Sequence, residues 1–465
     1  MQKNDIVTLR IEEINNLGYG VGHLQDADER GPVVFVRDGV TGDELEARII
    51  KVNRSYLVAR IERMLVPSAL RVENACAAVG CGGCVYRQIR YEHELELKRE
   101  YVKNAFRKAG LFDVSVEPVL SVGALSAYRN KAQYPVGNGK NGMVAGFYAT
   151  GTHRIVPAAD CRLQPQIFSE IVSAICAFCD RERIRAYDEE SGKGLLRHIY
   201  LRRGTVTGEV MVCLVVNGER LPKERILAGE LCARFPQIKS VMLNVNRENT
   251  NVVLGNCYRL LEGREWIEDD LCGLRFRISA GAFYQVNHDA CELLYQTAQQ
   301  KAALTGAETV LDLYCGIGTI GLSMAGQAKK VIGIEIVDEA VERARENAAR
   351  NGVANAYFYC GDASDAQKLL ESAEAVHGDV SEATVIMDPP RKGSTPALIE
   401  YLAARGFGRI VYVSCGPDTL ARDCALFQRL GYEIGNVTPV DMFPRTGHVE
   451  SVVCLKRRLD VDMRR

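Results

Sequence analysis

Five short apolar runs constrain the fold more than any other feature of the sequence. They read "TVLDLYCGIG", "KVIGIEIV", "AYFYCGDA", "ATVIMDPP" and "RIVYVSCGP", all beyond residue 300. A strand with one wet face alternates apolar and polar residues. These runs are nearly continuous, so each is expected to be buried on both faces. Helical segments such as "VDEAVERARENAARNG" lie between several of them. Strands alternating with helices make βαβ units and a covered parallel sheet. Residues 276–465 are therefore predicted to form a Rossmann-like α/β unit. Upstream the pattern changes twice. Residues 1–62 hold short strands at regular spacing with glycine turns, which suggests a small β-barrel. Residues 63–275 mix alternating strands with a helix over 91–110 and another near 167–183, as in an α+β unit. The helix over 91–110 is a candidate to pack on the last unit.

In an open α/β sheet, ligands sit outside the carboxyl ends of the strands. "VLDLYCGIGTIGL" reads strand, glycine turn, helix, and Gly316 and Gly318 let the backbone approach a ligand. Counting Asp312, acids mark four successive strand ends. Glu335 lies about twenty residues on, where a carboxylate can bind two ribose hydroxyls. Asp362 is placed to accept from an exocyclic amine, and Asp388 follows the fourth strand. One such acid is an ordinary helix cap. Four together would be costly to bury without partners, and a ligand with a ribose and an adenine supplies them.

The fifth strand ends in Ser414-Cys415-Gly416-Pro417. A cysteine is often just a small buried hydrophobe. At a strand end it is also where an enzyme would place a nucleophile. If the ligand at the strand ends is a methyl donor, a thiol is required when the carbon to be methylated is not nucleophilic, as at C5 of uracil. Thiolate addition at C6 makes an enolate whose C5 can attack a methyl sulfonium. A base must then take the C5 proton. Glu450, just before the last strand, is the candidate, with His448 beside it. A free thiol is mostly protonated at neutral pH, so Cys415 needs a site that favours thiolate.

Composition enters at two points. The N-terminus has no apolar leader and no run of about 18 apolar residues exists, so a cytoplasmic protein with no membrane span is expected. Its sixteen cysteines then point to metals, catalysis or packing rather than disulfides. Cys76, Cys81 and Cys84 fall within nine residues and Cys161 follows, a set that suits zinc or an iron–sulfur cluster. Cys176 and Cys179 sit in a helical pattern and read as packing. Basic and acidic residues nearly cancel, 58 against 59, so any nucleic-acid surface must be local. One such strip runs from Arg48 to Arg71, with Lys51, Arg54 and Arg60 inside it.

"DLYCGIG" resembles the first motif of the S-adenosylmethionine-dependent class I methyltransferases, and Glu335 their ribose-binding acid. The C-G-I-G-T-I-G spacing departs from the G-x-G-x-x-G of nicotinamide enzymes, which favours the methyl donor. Across nearly its whole length the chain resembles the RNA uracil-5-methyltransferase family, and its 23S ribosomal RNA members in particular. "AGAFYQVN" resembles the family's F-x-Q-x-N, which implies Gln285 at the donor and substrate site. "DLYCGIGT" implies donor contacts at Tyr314, Gly316 and Thr319, with Asp362 and Asp388 completing the donor site. "SCGP" resembles S-C-N-P, with Cys415 as nucleophile and Gly416 in place of asparagine. "TGHVE" matches T-G-H-x-E, implying Glu450 as base. The first sixty residues resemble the TRAM domain, an OB-like RNA-binding barrel. The resemblance also implies a [4Fe–4S] cluster on Cys76, Cys81, Cys84 and Cys161, with the first gap one residue shorter than usual. RNA, expected to be 23S ribosomal RNA, is the implied partner, and no obligate protein partner is evident. A transfer RNA target, a catalytically silent RNA-binding protein and an iron–sulfur redox enzyme are the rival readings.

Overall fold

The computed structural model describes residues 1–25, 30–73, 76–362, 371 and 374–458. Among the described residues, three large sheets and one two-stranded hairpin carry the chain. The first has six strands: Ile6–Arg10, Glu13–Ile14, Tyr19–Gln25, Arg30–Arg37, Glu44–Val52 and Tyr56–Val66. Its alternation sends Val7 and Leu9 inward to meet Val34, Val36, Leu45, Ala47, Ile49 and Ala59. The Glu12 N–H donates to the Val21 carbonyl at 2.8 Å, drawing the first strand back to the third so that the sheet curls on itself.

The second sheet has seven strands, with Leu196–Arg203 and Val210–Val216 at its centre. These two are buried almost throughout, as their continuous apolar character requires. Helices Gln166–Arg181 and Glu224–Arg234 cover one face. The hairpin Trp266–Leu271/Leu274–Ser279 places Ile267, Phe276 and Ile278 in the same core as helix His288–Ala302.

The third sheet runs in the order Ala356–Cys360, Lys330–Glu335, Thr309–Leu313, Thr384–Met387, Arg409–Ser414, Glu450–Arg457, Tyr432–Ile434. The first five are parallel and Glu450–Arg457 is antiparallel to its neighbours. Chain order reverses between Thr309–Leu313 and Thr384–Met387, the point where such sheets open a crevice. All five apolar runs lie in this sheet, so the mixed α/β expectation holds.

Helix Tyr91–Lys108 lies against this sheet unit despite its distance in sequence. Val102, Ala105 and Phe106 pack in one core with Leu420, Ala421, Cys424 and Phe427 of helix Pro417–Arg429. Gly110, at φ +81°, ends the helix as the sequence suggested. Its first turns also hold a fully buried charge network. Lys98 Nζ donates to Glu94 Oε1 (2.8 Å), Asp441 Oδ1 (2.7 Å) and the Phe443 carbonyl (3.1 Å). The Tyr91 hydroxyl donates to Asp441 Oδ2 at 2.7 Å, and the Arg445 N–H to Glu94 Oε1 at 2.7 Å. Two carboxylates thus face two cations, Lys98 and Arg445.

Removing one partner of a buried ion pair leaves the other uncompensated, at a cost of about 3–5 kcal/mol. Lys98→Met is expected to lower unfolding free energy by that order in urea titration. Tyr91→Phe, which removes one hydrogen bond, should cost about 1 kcal/mol. Equal losses from the two changes would contradict this account.

Candidate active site

The crevice is built from strand ends. Strand Thr309–Leu313 is followed by Tyr314, Gly316 and Gly318 in left-handed conformations, φ +67°, +54° and +85°. A Cβ at Gly318 would stand 3.0 Å from the Phe358 ring, whereas one at Gly316 would meet open space. The Gly316 N–H donates to Glu335 Oε2 at 3.0 Å, and the Val337 N–H to Glu335 Oε1 at 3.0 Å. Glu335 is thus fixed at the lip of the crevice. Asp312 is fully buried. Its Oδ2 accepts from the Gly321 N–H at 2.9 Å, while Oδ1 has no partner among the described residues. Burial, with Asp388 and Glu335 nearby, pushes its carboxyl up to about 8. Asp362 lies exposed two residues beyond the third strand, within electrostatic reach of Tyr314. The Thr319 hydroxyl meets that of Tyr295 at 2.7 Å, tying the start of its helix to helix His288–Ala302. An orphaned buried oxygen, a backbone cradle and an anchored carboxylate suit a ribose-bearing ligand such as the methyl donor.

Gln285 is buried. Its backbone is pinned from the second sheet: Asn130 Nδ2 donates to the Gln285 carbonyl (2.9 Å) and the Asn130 N–H to the Val286 carbonyl (2.8 Å). Asn287 caps helix His288–Ala302 and donates to the Met442 carbonyl at 3.1 Å. The F-x-Q-x-N segment therefore joins the second sheet to the loop that precedes Glu450. Asn130 carried no motif and was not legible in the sequence.

Strands Arg409–Ser414 and Glu450–Arg457 pair with Ser414 opposite Ser451. One step further along this register sets Cys415 opposite Glu450. Asp388 is the third member. Its N–H reaches the Leu313 carbonyl at 3.5 Å, and burial pushes its carboxyl up to about 7. Glu450, 3% exposed, is pushed up to about 8 by desolvation and then by Asp388, against the pull of Arg391. Cys415 is half-buried, and burial, Glu450 and Asp388 raise its thiol to about 11. The pocket thus opposes a thiolate, contrary to the need read from sequence. Two features oppose that rise: the Arg391 guanidinium, and the amino end of helix Pro417–Arg429, which starts two residues on.

Where the resembled motif has asparagine, Gly416 leaves room for Thr419. The Thr419 hydroxyl touches the Gly416 carbonyl (2.9 Å) and the Arg391 carbonyl (3.2 Å), and a Cβ at 416 would stand 2.7 Å from it. The loop after Asp388 is held again at Ser394, whose N–H donates to Asp423 Oδ2 at 2.8 Å. His448 is exposed at the mouth of the site. Partial loss of water around its ring, then the charges of Arg391, Arg129 and Lys98, hold it below the usual histidine range.

Cys76, Cys81, Cys84 and Cys161 line one cavity of about 170 Å³, with Arg87 and Arg129 among its walls. None of the four is in a disulfide. Burial, then Cys161, Cys81 and Cys76, pushes Cys84 up to about 12. Among the described residues no three such side chains are drawn together tightly enough to hold a single metal ion. Cys179 is buried in the core under helix Gln166–Arg181, with Cys176 at its edge.

The sequence model of the tRNA (uracil-5-)-methyltransferase family matches residues 91–458. An uncharacterized RNA methyltransferase of Bacillus cereus is 40% identical over 458 residues, 98% of each chain. One from Listeria monocytogenes is likewise 40% identical over 458 residues, 98% of each. The crystal structure of Pyrococcus abyssi tRNA (uracil-54, C5)-methyltransferase, solved with S-adenosyl-L-homocysteine, superposes with TM-score 0.76. That pair is 28% identical and covers 97% of this chain and all of the other. The chain belongs to the tRNA (uracil-5-)-methyltransferase family and is an S-adenosylmethionine-dependent enzyme that methylates uracil C5 in RNA.

Proposed function

We propose that Cys415 is the nucleophile and Glu450 the base of this reaction, and that 23S ribosomal RNA is the target. The observation that carries the catalytic roles is the register that sets Cys415 opposite Glu450, with Asp388 beside them. The bound donor supplies an electrophilic methyl group, and Glu335, Asp362, Gly316, Tyr314 and Thr319 are the residues that hold it. Cys415 gives its proton to solvent at the open mouth of the site as its sulfur adds to C6, helped by Arg391 and the helix amino end. The electron pair moves onto C5, which takes the methyl group from the donor sulfonium as the S–CH3 bond breaks and its electrons stay on the donor sulfur, leaving a thioether. Glu450, as carboxylate, removes the C5 proton, and the C6–S bond breaks to free the thiol. A carboxyl raised to about 8 is a stronger base than an exposed glutamate once ionised. Gln285 borders both ligands.

Cys415→Ala should form no protein–RNA adduct yet bind the donor normally. Glu450→Gln should pass addition and methyl transfer and then stall. It should accumulate as a methylated covalent complex that survives denaturing electrophoresis. Normal turnover by Glu450→Gln would move the base elsewhere, to His448 or a water.

The four cysteines fit a [4Fe–4S] centre. A single ion would draw four sulfurs to about 2.3 Å of one point. A cuboidal cluster holds them farther apart, which agrees with thiols spread around a cavity. Such a centre would supply a crosslink between the 76–84 loop and Cys161. Protein purified without oxygen should contain iron and acid-labile sulfide, and Cys81→Ser should lose both while Cys176→Ser keeps them. One equivalent of zinc without sulfide would overturn this.

The curled first sheet is read as a TRAM-type barrel that grips RNA phosphates. Arg48 and Arg63 are taken up by Glu62 and Glu46, and Arg71 by Asp43. Lys51 and Arg54 have no carboxylate partner among the described residues and stand exposed with Arg60. Cysteines that form no disulfide among the described residues suit the cytoplasm, where ribosomes are built. Transfer RNA is the second reading, favoured by the Pyrococcus abyssi enzyme, whose match spans 97% of this chain. Mass mapping of 5-methyluridine in both RNAs from a deletion strain separates the two. Loss from 23S ribosomal RNA supports the proposal, and loss confined to transfer RNA refutes it.

A further inference from the structure

The loop that leaves strand Thr384–Met387 carries Arg391, whose charge reaches Cys415, Glu450 and His448. Arg391 is exposed and no carboxylate among the described residues pairs with it, so the path of its backbone decides where that charge stands. Asp423 controls this path. It is 2% exposed and lies on helix Pro417–Arg429, which opens just after Cys415. Its Oδ2 accepts from the Tyr412 hydroxyl at 2.6 Å as well as from the Ser394 N–H at 2.8 Å, and its Oδ1 from Arg422 Nε at 2.8 Å. Arg422 Nη2 donates in turn to the Lys392 carbonyl (3.0 Å) and the Ser394 carbonyl (3.2 Å). Between them Gly393 passes at φ +76°, and a Cβ there would stand 2.6 Å from both Arg422 Nη2 and Asp423 Oδ2. With Thr419 on the Arg391 carbonyl, one helix holds every residue of the loop from Arg391 to Ser394.

A buried carboxylate is a costly way to fasten a surface loop, and its charge-assisted hydrogen bonds are strong and directional. Here they lock three pieces together. Tyr412 lies on strand Arg409–Ser414, which ends in the nucleophile, Asp423 on the helix that follows it, and Ser394 on the loop that carries Arg391. The sulfur and the guanidinium are thereby referred to one rigid body. Around the thiol, Glu450 from the next strand and Asp388 from the start of the loop add to the effect of burial, and Arg391 is the side chain that opposes them, along with the helix amino end. Attraction between charges falls with distance and is screened by salt at an open mouth. A guanidinium that drifts outward with its loop loses its hold on the sulfur.

We propose that Asp423 is a positioning residue for the nucleophile: by holding the Arg391–Ser394 loop on the helix that follows Cys415, it keeps the Arg391 guanidinium close to the sulfur. The inference rests on the reading of Cys415 as nucleophile, and its test reads the thiol itself rather than turnover. Charge alone makes the opposite forecast. Removing a carboxylate from the neighbourhood of a thiol favours the thiolate, so Cys415 would become more reactive without Asp423. Losing the clamp makes it less reactive.

The full-length protein is treated with iodoacetamide between about pH 7 and about pH 9, where the rate of alkylation follows the thiolate fraction. Peptide mass mapping times Cys415 separately from the other cysteines. Losing one nearby cation raises a thiol by about one pH unit, half offset by the greater reactivity of a more basic thiolate, so Arg391→Met should slow Cys415 about three-fold. Asp423→Ala should slow it about two-fold, a part of the same effect. Combined with Arg391→Met, it should add nothing. Asp423→Asn keeps an acceptor for Ser394 and Tyr412 and should recover the wild-type rate. Gly393→Ala pushes the loop off the clamp with Asp423 in place and should slow Cys415 as Asp423→Ala does. Cys424, fully buried next to Asp423, should stay unmodified, which shows that the helix is intact. If Asp423→Ala exposes Cys424, Gly393→Ala decides. An unchanged or faster Cys415 in these variants would overturn the proposal. So would further slowing by Asp423→Ala in the Arg391→Met background, since Asp423 would then act by another route. Methylation of uridine by Cys415→Ala would refute the nucleophile reading, while the alkylation rates would still judge the clamp.

Discussion

The site depends on one reversal of strand direction. Arg409–Ser414 runs toward the crevice with its parallel neighbours, and Glu450–Arg457 runs away from it. The end of one strand and the start of the next therefore share an edge, and a thiol and a carboxyl meet there. Had the eight-residue strand entered in parallel, Glu450 would lie about 24 Å away at the opposite rim. No loop could then bring it back without giving up the burial that makes it basic.

Burial has a second consequence. Asp312, Asp388 and Glu450 are each held above the usual carboxylate range by burial, and Asp388 makes both of the others harder to ionise. The crevice holds protons that an exposed site would release. Arg391 is the cation that faces this group, and its loop is fixed through Thr419 and Asp423 rather than through an ion pair of its own. The buried Lys98 cluster does the same for the opposite wall. By gripping Asp441 and the Phe443 carbonyl it sets where the chain must turn before it reaches Glu450.

The sequence displayed what local chemistry can display. Continuous apolar runs marked the buried strands, glycines marked the turn at 316–318, and acids stood at the strand ends because the fold puts polar ends there. Cys415 and Glu450 were legible as strand-end residues, and their meeting was not, because strand direction is not written in a strand's own pattern. The pairing of Lys98 with Asp441 spans 343 positions, and nothing near either residue announces the other. Arg129, Asn130 and Lys131 sit in "YRNKAQ", which reads as an ordinary strand start. Asn130 matters through the Gln285 and Val286 carbonyls it meets, and these belong to another part of the chain.

The loop from Asp441 to Gly447 is also where separate parts of the chain touch. The Tyr86 N–H, two residues past Cys84, donates to the Arg445 carbonyl at 3.1 Å, and the Tyr128 hydroxyl to the Pro444 carbonyl at 2.9 Å. Gly447 lies so close to the Asn16 carbonyl of the first sheet that a methyl group there would overlap it. The first sheet is therefore part of the mould in which this loop is cast, and not a detachable handle. Gene rearrangements that exchange the leading barrel for another RNA-binding module would bring in a surface unmatched to Gly447. Such chimaeras would survive selection only where the newcomer carried a backbone turn of the same shape at Asn16, so the two ends of the gene are bound to evolve as one piece.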